Sequence, residues 1–210
     1  MSRIRYTLLS DGSSDRMLMP ILDWLLHRLC PKYAIDPQWP DLRRLKVPPK
    51  RLHRRISAAL ELYESDLLFI HRDAESESFE ARKREISAAL VGQAAPPAVC
   101  VIPVRMQEAW FLFDEMAIRR ASGNPNGRIP LQLPTLNAVE TLINPKERLY
   151  SLVREASGLP GTRLKKLNPN KCVHRIPEFV DDFSPLRTLP AFQSLEHDLE
   201  VVVQERGWNA

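Results

Sequence analysis

The chain has 210 residues, with 44% apolar and 27% charged side chains, 7 glycines, 18 prolines and a formal net charge of +4. That size suits one globular domain, with or without a helical extension, that folds without disulfides. Sparse glycine argues against a Gly-rich phosphate loop, and Cys30, Cys100 and Cys172 fit neither a zinc finger nor a disulfide scaffold. The odd cysteine count points to a reducing cytoplasm. No signal-peptide core, membrane-length apolar run or solenoid repeat is predicted.

Ile4 to Leu9 reads as a buried first strand. Asp11-Gly12-Ser13-Ser14-Asp15 is a turn with a serine available as a cap, followed by helical spacing from Met17 to Leu29 in which Pro20 is expected to kink or delay the helix. Tyr33 to Trp39 reads as a strand, at an edge because of Pro37. A helix is predicted from Pro48 to Tyr63, a central strand at Leu67–Ile70, and a charged helix from Glu75 to Leu90. Val99 to Val104 reads as another buried strand, and Gln107 to Phe113 as the start of a helix. This alternation predicts an α/β fold with a mostly parallel sheet.

Beyond Asp114 the pattern changes. Ser122 to Pro134 is loop-like, and Asn144-Pro145-Lys146-Glu147 carries the cap, the proline and the acid of a helix start, with Gly158 as its stop. A last helix is expected from Pro190 to Glu205, and no strand after residue 105. The division is an α/β core over 1–113 and a helical layer over 114–210.

Three polar clusters follow predicted strands: Asp11 to Asp15, His71-Arg72-Asp73-Ala74-Glu75, and Arg105-Met106-Gln107-Glu108. Parallel strands would bring all three to one sheet edge, where open α/β sheets bind ligands. Carboxylates converging there favour a hard divalent cation that is also bound by phosphate, and Arg72 and Arg105 suit phosphate oxygens. Each residue also has a plainer structural reading. Asp11, Asp15 and Glu75 could be turn or helix-start acids, His71 could bond the backbone, and Glu108 could be neutralised by Arg72 or Arg105. Arg43, Arg44, Lys46, Lys50, Arg51, Arg54 and Arg55 form a basic run, and Arg163, Lys165, Lys166, Lys171 and Arg175 a second one. Both are compatible with a nucleic-acid track or with a solvated face.

The strand-end Ser10-Asp11-Gly12-Ser13-Ser14-Asp15 and His71-Arg72-Asp73 resemble the two acidic motifs of the Toprim fold. The chain is most similar to small Toprim-like proteins related to the OLD and RloB families. These also carry a stretch like Ile102-Pro103-Val104-Arg105-Met106-Gln107-Glu108-Ala109-Trp110 and a Pro-Lys-Glu helix start, here Pro145-Lys146-Glu147. The resemblance covers residues 4–113 and about 144–158. It departs at Asp11, where the family has Glu, and at His71, where it has the first Asp of Asp-x-Asp.

The resemblance implies Mg²⁺- or Mn²⁺-dependent nuclease chemistry on DNA or RNA in phage defence or a mobile element, beside an ABC-type or AAA-type partner ATPase. Asp11, Asp73 and Glu75 would hold the metal, Arg72 and Arg105 the phosphate, with His71 and Glu108 as further catalytic groups. Imidazole suits Mn²⁺ or Zn²⁺ better than Mg²⁺. Two other functions stay open: a non-catalytic module binding nucleic acid or an ATPase, and a phosphohydrolase of small substrates.

Overall fold

The computed structural model describes residues 2–209. Four strands, β1 (Arg3–Leu9), β2 (Ala34–Gln38), β3 (Leu67–His71) and β4 (Ala98–Val101), form one sheet in the order β2-β1-β3-β4. All three pairings are parallel. Helix α1 (Met19–Leu29) joins β1 to β2, α2 (Leu52–Leu62) joins β2 to β3, and α3 (Phe79–Leu90) joins β3 to β4. The expected α/β fold with a parallel sheet flanked by helices is present.

Strand polarity explains the layering. Ile4, Tyr6, Leu8, Leu67, Phe69, Val99 and Val101 pack with α1 and the C-terminal helices. Leu9, Leu68 and Ile70 turn the other way, onto Ile56 and Ala59 of α2 and Ile86 of α3. Both faces are covered, which is why β3 reads as an unbroken apolar run. β2 is an edge strand, where Pro37 removes no ladder bond that a second neighbour needs.

After β4 the chain forms a 3₁₀ segment, Gln107–Phe111, and then α4 (Glu115–Ala121), α5 (Leu136–Val139), α6 (Pro145–Ser157), α7 (Gly161–Lys166) and α8 (Pro169–Val173). Two more 3₁₀ turns lead into α9 (Pro190–Arg206). α6 starts and stops as its sequence predicts. The Asn144 side chain accepts from the Glu147 N–H at 3.1 Å, and Gly158 closes the helix at φ 61°. Trp110 and Phe192 meet edge-to-face at 5.5 Å and are fully buried, so α9 packs on the segment that follows β4. One apolar cluster runs from Ile4 to Val203.

Several boundaries differ from expectation. Of the two expectations for Pro20, delay is the one the structure has: α1 begins at Met19, not Met17. Pro20 sits in the first turn of α1, where its missing N–H is harmless, and a 3₁₀ turn over Ser13–Leu18 takes up the preceding residues. α2 begins at Leu52, after Pro48 and Pro49. α3 begins at Phe79, with Ser78 accepting from the Ala81 N–H at 3.1 Å, because Glu75 is held at φ 55° and cannot open a right-handed helix. β4 ends at Val101, short of Pro103, which has no N–H to donate. The segment from Gln107 is 3₁₀, not α.

Phe192→Ala is expected to cost ~3–5 kcal/mol, as truncation of a fully buried aromatic does. Because its cluster spans both halves of the chain, thermal melting followed by far-UV and near-UV circular dichroism should still show one transition. Two separated transitions would show that the halves fold independently.

Candidate functional site

The order β2-β1-β3-β4 reverses direction at β1: the chain leaves β1 toward one edge and returns on its other side as β3. The crevice at the carboxyl ends of β1 and β3 is therefore the switch point, where α/β sheets bind ligands. A hollow of about 300 Å³ opens there, lined by Asp11, Asp15, His71, Arg72, Asp73 and Arg82 among others.

His71 is the last residue of β3 and is buried. Its Nδ1 lies 2.9 Å from the Val101 carbonyl, which can only accept, so Nδ1 carries a hydrogen. Nε2 is left facing Asp73 Oδ1 at 3.6 Å. The backbone-bonding role and the site role thus belong to opposite edges of one ring. Asp73 Oδ1 also accepts the Gln107 backbone N–H at 2.8 Å. Burial lifts the Asp73 pKa to about 6, Glu108 and Asp15 push it further in that direction, and His71 and the Gln107 N–H work against the rise.

Asp15 ties the β1 turn to the segment that follows β4. Its carboxylate accepts from the Gly12 N–H at 2.8 Å, the Ser14 hydroxyl at 2.9 Å and the Gln107 side-chain amide at 2.9 Å. Gln107 therefore links the β1 turn through its side chain to Asp73 through its backbone. Its own Oε1 is buried without a partner among the described residues.

Two backbone strains frame the far wall. Glu75 at φ 55° and Arg105 at φ 60° are left-handed non-glycine residues, a conformation that costs on the order of 1 kcal/mol or more each. The Glu75 N–H donates to the Arg105 carbonyl at 2.8 Å, which closes the β3 and β4 loops on each other.

The remaining site residues are arranged as follows. Asp11 is paired with Arg55 and with Arg72, the latter at 3.0 Å. Burial pushes its carboxyl upward, but the two guanidiniums outweigh that and hold it below its ordinary value. Arg72 also meets Glu85 at 3.3 Å. Glu75 lines the hollow, is mostly exposed and is held by Arg82 at 3.3 Å. Glu108 is buried, and its ion pair is Lys146, at 3.4 Å, instead of Arg72 or Arg105. The reason is tertiary: α6 docks on the 3₁₀ segment and brings its first turn over Glu108. The Arg105 side chain does not line the hollow.

The fit of a divalent cation follows from these contacts. Among the described residues no group of three or more His, Cys, Asp or Glu side chains is assembled to hold an ion. Asp11 and Glu75 are committed to arginines, and Asp15 to three donors. What remains is the His71 Nε2 and Asp73 Oδ1 pair, 3.6 Å apart, which would leave most ligands of an ion held there to water and phosphate. The Val101 carbonyl orients the imidazole in the way that backbone acceptors orient metal-ligating histidines.

Asp15 belongs to the first polar cluster and Arg55 to the basic run read from sequence, whereas the bridging role of Gln107 and the pairing of Lys146 are not legible there. The accessible signal was Gln107, an amide at the head of an otherwise apolar run through Phe113.

Asp73 titrates near 3.8 when unfolded and near 6 when folded, so the native state holds its proton more tightly. Stability contributed by the protonated acid is lost as pH rises through that window, and the penalty is complete above about pH 6. Asp73→Asn is expected to stabilise the protein at pH 8 by ~2 kcal/mol at most, after discounting for partial exposure. At pH 3 the gain should vanish. Thermal melting in a chelating buffer at both pH values checks this, and destabilisation at pH 8 would contradict it. Comparison with protein family models, curated proteins and solved structures finds no match, so the chemistry of this crevice is read from its own residues.

Proposed function

We propose that the chain processes phosphodiesters of DNA or RNA, as a metal-dependent nuclease or a nuclease-like subunit. The observation that carries this reading is the oriented His71–Asp73 pair at the switch point, with arginines on the adjoining rim. Asp73 and His71 would hold Mg²⁺ or Mn²⁺, and Mn²⁺ tolerates the imidazole better. When bound, such an ion supplies Lewis acidity to a phosphoryl oxygen and acidifies water.

The chain's own groups prepare the site. Gln107 aligns the Asp73 carboxylate through its backbone N–H, and Val101 fixes the imidazole plane. Glu108, neutralised by Lys146 on one side, adds negative charge behind Asp73 and favours a cation in front of it. Arg72 supplies a planar donor fork for non-bridging phosphate oxygens. The unpaired Cys30, Cys100 and Cys172 are compatible with a reducing cytoplasm. No helix among the described residues is long and apolar enough to cross a membrane. A partner ATPase rests on the family resemblance alone.

The test is cleavage of single-stranded, double-stranded and transfer-RNA substrates with Mg²⁺, Mn²⁺ or chelator, with and without an ATPase encoded beside the gene. Metal-stimulated cleavage is expected. Asp73→Asn should reduce it by on the order of 100-fold or more, beyond the loss that outer-shell substitutions produce. His71→Asp should tighten Mg²⁺ binding, since carboxylate suits that ion better. If no substrate is cut and metal does not shift the melting temperature, the chain is a binding module.

A further inference from the structure

We propose that Arg55 and Arg72 form a phosphate clamp for a single-stranded nucleic-acid backbone, and that Asp11 fills this clamp as a stand-in anion when the substrate is absent. The proposal rests on the phosphodiester reading above and changes the role of Asp11 from metal ligand to occupant of the anion position.

The two arginines are fixed independently of Asp11. Arg55 donates to the Ser10 carbonyl and is only 12% exposed, and Arg72 is tied to Glu85. Asp11 itself is 54% exposed, so the acid is the loosely seated member of the trio. Two guanidiniums meet one carboxylate there, while Glu85 is shared with Arg82 at 2.8 Å. With Glu75 also on Arg82, the three arginines and three carboxylates of the knot balance, so displacing Asp11 is what leaves the Arg55 and Arg72 pair with positive charge to spare. A carboxylate presents two oxygens to a guanidinium fork in the same way as the non-bridging oxygens of a phosphodiester.

The surroundings favour a chain over a lone phosphate. Asp11 lines the hollow that holds His71 and Asp73, and also a neighbouring hollow of about 190 Å³ bounded by Trp39, Pro48, Lys50 and Arg55. Arg72 lines a third, of about 600 Å³, which contains Lys50, Arg51 and His53. The basic segment 43–55 thus reaches the His71–Asp73 pair by way of the Asp11 knot. A backbone phosphate entering from that segment would take over the arginines and free the Asp11 carboxylate.

The experiment measures anisotropy of a labelled single-stranded decanucleotide in chelating, low-salt buffer, so that neither metal nor cleavage is needed. Asp11→Asn should bind about tenfold more tightly than the parent, and Arg55→Gln and Arg72→Gln about tenfold more weakly. Asp11→Ser, which removes both charge and bulk, must change affinity in the same direction as Asp11→Asn. This guards against an effect of amide bonding or altered folding. The parent should also melt at a higher temperature with the decanucleotide, and Arg55→Gln should lose that shift. If both Asp11 variants bind no better than the parent, Asp11 is not a stand-in and the proposal falls. It falls equally if no form binds at low salt. Inorganic phosphate should compete poorly, and competition equal to that of the oligonucleotide per phosphate would overturn the nucleic-acid assignment. Absence of cleavage would sink the nuclease reading but leave these binding results standing.

Discussion

The parallel pairing of β1 with β3, buried on both faces, is the constraint from which the rest of the molecule follows. Two neighbouring strands ending in the same direction, with helices leaving them toward opposite edges, leave a notch at their carboxyl ends. Apolar side chains fill both faces up to Leu9 and Ile70. Directly beyond them the backbone must turn, and its polar groups need partners. Asp15 and Gln107 satisfy many of these needs at once, which makes the polar layer at the strand ends a single hydrogen-bonded unit instead of three separate loops.

Charge in that layer is sorted by depth. Asp15, His71, Gln107 and Glu108 are buried, whereas the arginine pairs of Asp11 and Glu75 lie nearer solvent. A buried carboxylate with other acids behind it resists ionising, while one between two guanidiniums ionises readily. Asp73 and Asp11 are the same residue type on one crevice, and their surroundings drive their proton affinities in opposite directions. Such divergence is what a site needs if one acid is to hold charge loosely and another to hold it always.

The strands were legible because a sheet covered on both faces writes itself as apolar runs, and Pro37 marked its edge. The start of α6 was legible because capping is local: Asn144, Pro145 and Glu147 are adjacent in the chain. The short helices between Glu115 and Val173 were not, since four to seven residues carry too little periodicity and are held by packing. The acidic clusters could be assigned to a common edge, but their partners could not. Arg55 reads as one member of a basic run, and nothing near it in sequence announces Asp11. Glu108 and Lys146 each stand in a motif of their own, and only the docking of α6 on the 3₁₀ segment joins them. The start of α3 is not legible, because a left-handed Glu75 is enforced by the facing loop, not by Glu75 itself.

The bond between Glu75 and Arg105 has a bearing on how this protein can diverge. Both positions need positive φ, which Gly, Asn and Asp adopt at little strain, whereas Val, Ile, Thr and Pro do not. Their side chains are spared this restriction, since the shared contact is made by the backbone alone. Substitutions at 75 and 105 are therefore filtered by the conformation they permit more than by the charge they carry. A residue gained or lost in one loop would break this bond unless the other loop moved to meet it, so the outline of the crevice mouth is set by backbone and not by the side chains at 75 and 105.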